Sequence, residues 1–184
     1  MQRRILNRSG RPEIGSSKGF TLLDMIFVIA LIGLLSAIAV PTLLRSRAAA
    51  NETATLATIR VVHTGALSYA LSCGAGLWPA DFPALADPLG VQGFLPPDLT
   101  SASSPMKSGY TYALKPGPAG VAPLIDCNGK AVALDYYITA VPIDFGNTGG
   151  RAFASSEGHV IWQDTMGVPP PEPFTPGATV SPIE

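Results

Sequence analysis

The sequence predicts an α+β fold in which a long N-terminal helix, membrane-inserting over its first half, packs against a small antiparallel sheet. Three observations predict it. Residues 20–44, FTLLDMIFVIALIGLLSAIAVPTLL, hold Asp24 as their only charge. An apolar stripe at helical spacing follows that run. The remainder carries short alternating runs and sets Asn128-Gly129 between two of them, the preferred pair for a tight hairpin turn.

Composition bounds the class. The 184 residues allow one domain of ordinary size. Only 14% are charged while 47% are hydrophobic, the reverse of a disordered acidic or basic tail. Twelve Lys plus Arg against thirteen Asp plus Glu argue against a sequence-independent grip on phosphates, so no nucleic-acid partner is expected. Nineteen Gly and eighteen Pro argue against a chain that is helical throughout.

The first nineteen residues are basic, with Arg3, Arg4, Arg8, Arg11 and Lys18 against Glu13 alone. The apolar run after them is long enough to cross a membrane, since twenty residues at ~1.5 Å each span the ~30 Å hydrocarbon core. Arg45 and Arg47 close it. A core helix of a soluble domain rarely stays apolar on every side for this length. The basic excess ahead of the span favours a cytoplasmic N-terminus and places everything after Leu44 outside the cytoplasm. Three readings of this segment compete: a secretory signal peptide cut at Ala37-Ile38-Ala39, an uncleaved anchor, and a leader cut ahead of the apolar run.

The residues that separate these readings are Lys18-Gly19-Phe20-Thr21-Leu22-Leu23-Asp24. They resemble the processing site of type IV pilins and type II secretion pseudopilins. The resemblance covers residues 18–44 tightly and the rest in general plan, and it implies a pilin-like fold. It implies that a prepilin peptidase/methyltransferase cuts between Gly19 and Phe20 and methylates the new Phe20 amine. It places Asp24 at the family's acidic position, nearly always Glu, and Gly33 and Pro41 at its helix-interior Gly and Pro. The function it implies is a structural subunit of a type IV pilus or pilus-like filament, assembled through the apolar helix. A pseudopilin of a type II secretion system and a minor pilin are the alternatives within the class. The implied partners are copies of the chain or other pilins, an inner-membrane assembly platform, and membrane lipid before assembly. The implied location is the bacterial inner membrane, then a periplasmic or cell-surface filament.

Physical chemistry bears on the same residues. A lone carboxylate at the centre of an apolar span costs ~2.5–3.5 kcal/mol on insertion scales and usually has a partner. Cleavage after Gly19 would create an amine four residues from Asp24, available to a neighbour's carboxylate in a filament. The alternative reading is that Asp24 simply sits in a first helical turn, where the macrodipole favours an acid. Pro41 removes one helical hydrogen bond, to Ala37, so a kink or local unwinding is expected there; in filaments of the family the stretch between the Gly and the Pro is often melted.

The expected organisation follows in chain order: residues 1–19 a removed leader, 20–44 the transmembrane or filament-core helix, 45–73 its amphipathic second half, 74–166 a globular head, and 167–184 a Pro-rich flexible tail. Leu56, Ile59, Val62, Ala66, Tyr69 and Cys73 make the stripe of the second half, and Gly74 stops the helix. Residues 74–123 read mostly as loop. Within them, residues 109–114 alternate as a strand with Tyr110, Tyr112 and Leu114 on one face. Residues 124–127 and 130–141 form the arms of the hairpin around Asn128-Gly129, and 151–154 and 159–163 suggest two further strands. Ala140-Val141-Pro142, Gly146, Thr148-Gly149, Arg151 and Phe153 resemble a sheet motif of pilin-like proteins of unassigned role; loop glycines and a strand start explain them equally well. Six prolines in the last eighteen residues read as an extended or mobile segment.

Cys73 and Cys127 both follow the span, and in an oxidising compartment they are expected to form a disulfide joining the helix end to the hairpin. Free thiols, or zinc held with His63 and His159, are the alternatives, although the spacings match no finger pattern. No catalytic constellation, cofactor or metal is expected. The alternative from a different class is a signal-anchored extracytoplasmic enzyme or binding protein, which should show a polar pocket with perturbed ionisable groups.

Overall fold

A computed structural model describes residues 19–86 and 93–183; the basic residues of the expected leader, Arg3 to Lys18, lie outside them. One helix, α1, runs from Leu22 to Ser72 without interruption through Gly33 and Pro41. The unwinding expected near Pro41 is therefore not seen. Contacts divide the chain into two compact units, Met1–Val40 and Pro41–Glu184.

In the first unit the described residues are the helix from Leu22 and the three residues ahead of it, and every one of residues 19–40 is exposed. The stretch is long and apolar enough to cross a membrane, which is consistent with a membrane-anchored protein.

In the second unit the helix turns amphipathic. Ile59, Val62, Ala66, Tyr69 and Cys73 are buried on one face, as the spacing predicts, with Leu56 half-buried beside them. After the helix come β1 (Trp78–Pro79), a 3-10 turn (Phe82–Leu85) and a one-turn helix α2 (Pro97–Thr100). The strands follow: β2 (Met106–Lys107), β3 (Tyr110–Pro116), β4 (Val121–Ile125), β5 (Ala131–Ala133), β6 (Tyr136–Pro142), β7 (Ala152–Ser156), β8 (Trp162–Asp164) and β9 (Val180–Pro182). They form two antiparallel sheets, a six-stranded one in the order β2-β3-β6-β7-β8-β9 and a three-stranded one in the order β1-β5-β4. The layout is α+β. Tyr110, Tyr112 and Leu114 are all buried on one face of β3, where they join Ile138, Ala140 and Phe153 in the core with the helix stripe.

Three expectations need correction. The single long second arm of the hairpin, 130–141, is two strands in two different sheets. The chain changes sheets at Leu134-Asp135, where the Leu134 N–H donates to the Gly120 carbonyl and the Asp135 carboxylate accepts the Ala119 N–H at 2.8 Å. The turn itself is not a two-residue primed turn. Asp126 and Lys130 close a three-residue loop in which only Gly129 has positive φ, at 75°. This is a type I turn ending in a left-handed glycine, the next commonest hairpin solution.

The third correction concerns the proline-rich end, expected to be flexible. Val180–Pro182 pairs with β8 as an edge strand. Ahead of it the Tyr137 hydroxyl donates to the Pro170 carbonyl at 2.6 Å, and the Phe174 ring stacks on Trp162 with centroids 5.5 Å apart. Trp162 and Tyr137 stand on the sheet face away from Ile138, so the segment covers that face. Prolines lose little entropy when docked, and an aromatic surface is what an extended proline-rich segment packs on.

Candidate functional site

The segment ahead of α1 is built for a helix start. The Thr21 N–H and hydroxyl both donate to Asp24 Oδ2, at 3.0 and 2.7 Å, and the Asp24 N–H donates back to Thr21 Oγ1 at 3.2 Å. This reciprocal pair is a capping box, with Asp24 in the position usually filled by Glu or Gln. The Thr-x-x-Asp spacing at 21–24 was the sequence signal for it. Asp24 thus occupies the first turn of the helix, and its carboxylate already has a local partner. Gly19 and Phe20 precede the box outside the helix, and Phe20 is 83% exposed. A Cβ added at Gly33 would meet nothing within 4 Å, so nothing within the chain demands glycine there.

In the second unit the loop between β6 and β7 is pinned to the polar flank of α1. Glu52, buried although charged, pairs with Arg151, whose Nε donates to Oε2 at 2.9 Å. The other oxygen of Glu52 accepts the Gly150 N–H at 2.8 Å, and Asn51 donates to the Thr148 carbonyl at 2.9 Å. Arg151 also donates to Gln163 on β8, and the Tyr110 hydroxyl donates to the Arg151 carbonyl. A Cβ at Gly149 would lie only 2.0 Å from the Tyr110 hydroxyl oxygen, so that glycine is needed for close approach. The residues 140–153 singled out in the sequence therefore form a clamp between sheet and helix. Glu52 lies four residues ahead of Leu56, in register with the stripe, but a carboxylate there carries no sequence mark of burial.

At the other end of the stripe Cys73 and Cys127 form a disulfide, with Cα atoms 4.9 Å apart. Beside it Asp126 is buried. One of its oxygens accepts the N–H groups of Asn128 and Lys130, both at 2.8 Å, and the other accepts the Tyr69 hydroxyl at 2.8 Å. Burial first, and the Asp126 carboxylate next, push the Tyr69 phenol well above its ordinary value, so it stays a donor. The hairpin turn is thereby tied to the helix end by a covalent bond and a buried hydrogen bond.

His63 and His159, ninety-six positions apart in the chain, meet face to face with ring centroids 4.7 Å apart. His63 is buried, and its Nε2 has no hydrogen-bond partner. Burial first and the second imidazole next hold His63 down to about 4, so it is neutral near pH ~7. The two rings line an open groove of about 340 Å³ with Arg60, Thr64 and Leu67. No carboxylate lines that groove, and the Thr64 hydroxyl is donated to the Arg60 carbonyl at 3.1 Å. The pair was not legible in the sequence, because nothing local links a helix flank to a turn.

The four side chains of the zinc alternative are not gathered. The cysteines are bonded to each other, and among the described residues no group of three or more His, Cys, Asp or Glu is placed to hold a metal ion. Gly19, Phe20, Asp24 and Gly33 lie in the first unit, Pro41 opens the second, and Cys73 and Cys127 meet at the far end of the stripe. No protein-family model, no curated protein and no solved structure matches the chain.

Proposed function

We propose that the chain is a structural subunit of a type IV pilus or pilus-like filament, pilin-like in fold, made as a prepilin and cut between Gly19 and Phe20. The observation that carries this reading is the joint placement of Gly19-Phe20, the helix start and Asp24 at the head of a wholly exposed apolar helix. Such a surface needs an apolar phase around it: bilayer before assembly, and the helices of other subunits afterwards. The helix continues into a second unit that buries its own stripe, so a membrane-borne subunit also carries a folded head. In this reading the prepilin peptidase/methyltransferase and an inner-membrane assembly platform are the partners, and no catalytic role is assigned.

The exposed Gly19-Phe20 bond precedes the capping box, so hydrolysis there leaves the helix start intact. The freed Phe20 amine would stand ready for the Asp24 carboxylate of a neighbouring subunit. Removal of residues 1–19 takes away five basic residues and one acid, leaving 165 residues of formal charge -5.

Mass spectrometry of the mature chain from a membrane fraction tests the proposal. A chain beginning at N-methylated Phe20 is the expected result; one beginning at Val40, or retaining Met1, overturns it. Sheared-filament preparations containing the chain, and an assembly defect in Asp24→Ala, are the further expected outcomes.

A further inference from the structure

The β7–β8 connection, residues 157–161, returns toward α1 and presents His159 to His63. Its backbone is held in an unrelaxed form. His159 has φ 59°, in the left-handed region that favours glycine, with its N–H donating to the Ser156 carbonyl at 2.9 Å. The Ser155 hydroxyl donates to the Val160 carbonyl at 2.7 Å. The ring stack on His63 joins the tip of this turn to the helix, while Ile161 at its end is buried in the core.

We propose that the tip of the β7–β8 turn is an acid-released latch, closed by the stack of His159 on His63 and opened when the buried His63 takes up a proton.

The surroundings give a proton no compensation. His63 Nε2 is buried without an acceptor. From α1 the charged group on the same groove is Arg60, a permanent cation. From the turn comes His159 itself, a second basic group. From β6 comes Tyr136, edge-on to His63 with centroids 6.2 Å apart, its phenol raised by burial first and by Glu157 second, so it carries no negative charge. Glu157 is the one acid of the turn, and its field bears on Tyr136 and on Glu172. A proton on His63 therefore makes a buried cation with no acceptor, set against a second imidazole and beside Arg60. The exposed tip, residues 157–160, is the part free to leave, because the helix stripe below His63 and Ile161 are locked in the core. Opening uncovers His63 and lets water solvate its imidazolium.

The test is amide hydrogen exchange by mass spectrometry on the full chain in detergent micelles, corrected for intrinsic rates, at pH ~7 and pH ~4. Protection across residues 155–161 should fall at least ~10-fold at the lower pH while the β4–β5 hairpin holds, with a midpoint that follows the His63 ring signals in NMR. His63→Phe and His159→Phe each keep a ring and remove one imidazole from the stack, and each should stay protected at both pH values. If one fails to fold, the other decides. Glu157→Gln should leave the midpoint in place. Unchanged protection in the parent chain overturns the proposal. So does release that persists in the Phe variants, release that moves with Glu157→Gln, or loss of the whole head together with the turn.

Discussion

Residues 22–40 and 41–72 belong to the same helix, yet they meet opposite demands. In the first stretch nearly every side chain is apolar and none is buried. In the second a stripe of apolar side chains, Ile59, Val62, Ala66 and Tyr69, lies on one face, and that face disappears into a core with Tyr110, Tyr112, Ile138 and Phe153. The difference teaches where each stretch gets its stability. An all-round apolar helix cannot be satisfied by one partner sheet, so its burial must come from outside the chain. A one-sided stripe can be satisfied by a single sheet, and here it is.

That contrast can be broken from either side. Phe153→Ala opens a cavity under the helix stripe and should lower head stability by ~3–5 kcal/mol in chemical denaturation, with membrane partition unchanged. Replacing both Cys73 and Cys127 by Ala removes a cross-link between positions 54 apart and should lower stability by ~4 kcal/mol or less, again without moving the chain out of the membrane. The reverse experiment is Leu31→Arg. A cation at mid-span costs ~2.5–3.5 kcal/mol on insertion scales, so the chain should shift toward the soluble fraction while the head melts as before. If Phe153→Ala moved the chain out of the membrane, or Leu31→Arg unfolded the head, the two stretches would not be independent.

The smallest expected effect is on acid stability of the head. His63 is held down to about 4 in the fold, while an unfolded histidine titrates near ~6.5. Below ~6.5 the unfolded chain takes up the proton first, so stability is full above that value and declines as pH falls toward about 4. Calorimetry across this window should show a drop of a few degrees in Tm that His63→Phe removes. An unchanged slope in the variant would place the acid sensitivity elsewhere.

Legibility in the sequence followed range. The stripe from Ile59 to Cys73 and the buried face Tyr110, Tyr112, Leu114 were readable because the 3.6 and 2.0 periods are properties of neighbouring residues. The hairpin was readable from Asn128-Gly129, but its turn type was not, since three residues with one left-handed glycine satisfy the same pair. The Thr21–Asp24 box is as local as any of these, but Asp at the fourth position is a weaker mark of it than the usual Glu or Gln. The proline-rich end misled through composition. Six prolines speak against regular structure, yet a terminal strand on β8, the Tyr137–Pro170 hydrogen bond and Phe174 on Trp162 dock the segment.

By itself the sequence determined an apolar helix that needs an outside phase, an amphipathic continuation, and strands to cover it. Each of these is decided within a window of a few turns, where side-chain spacing alone selects the conformation. Only the tertiary structure decided that Glu52 meets Arg151, that Cys73 faces Cys127 at 4.9 Å between Cα atoms, that the chain changes sheets at Leu134-Asp135, and that His63 meets His159. Those pairings join residues distant in the chain. Apart from the covalent disulfide, the side-chain pairs among them gain strength from desolvation, and no side chain is desolvated until the sheet has closed over the helix.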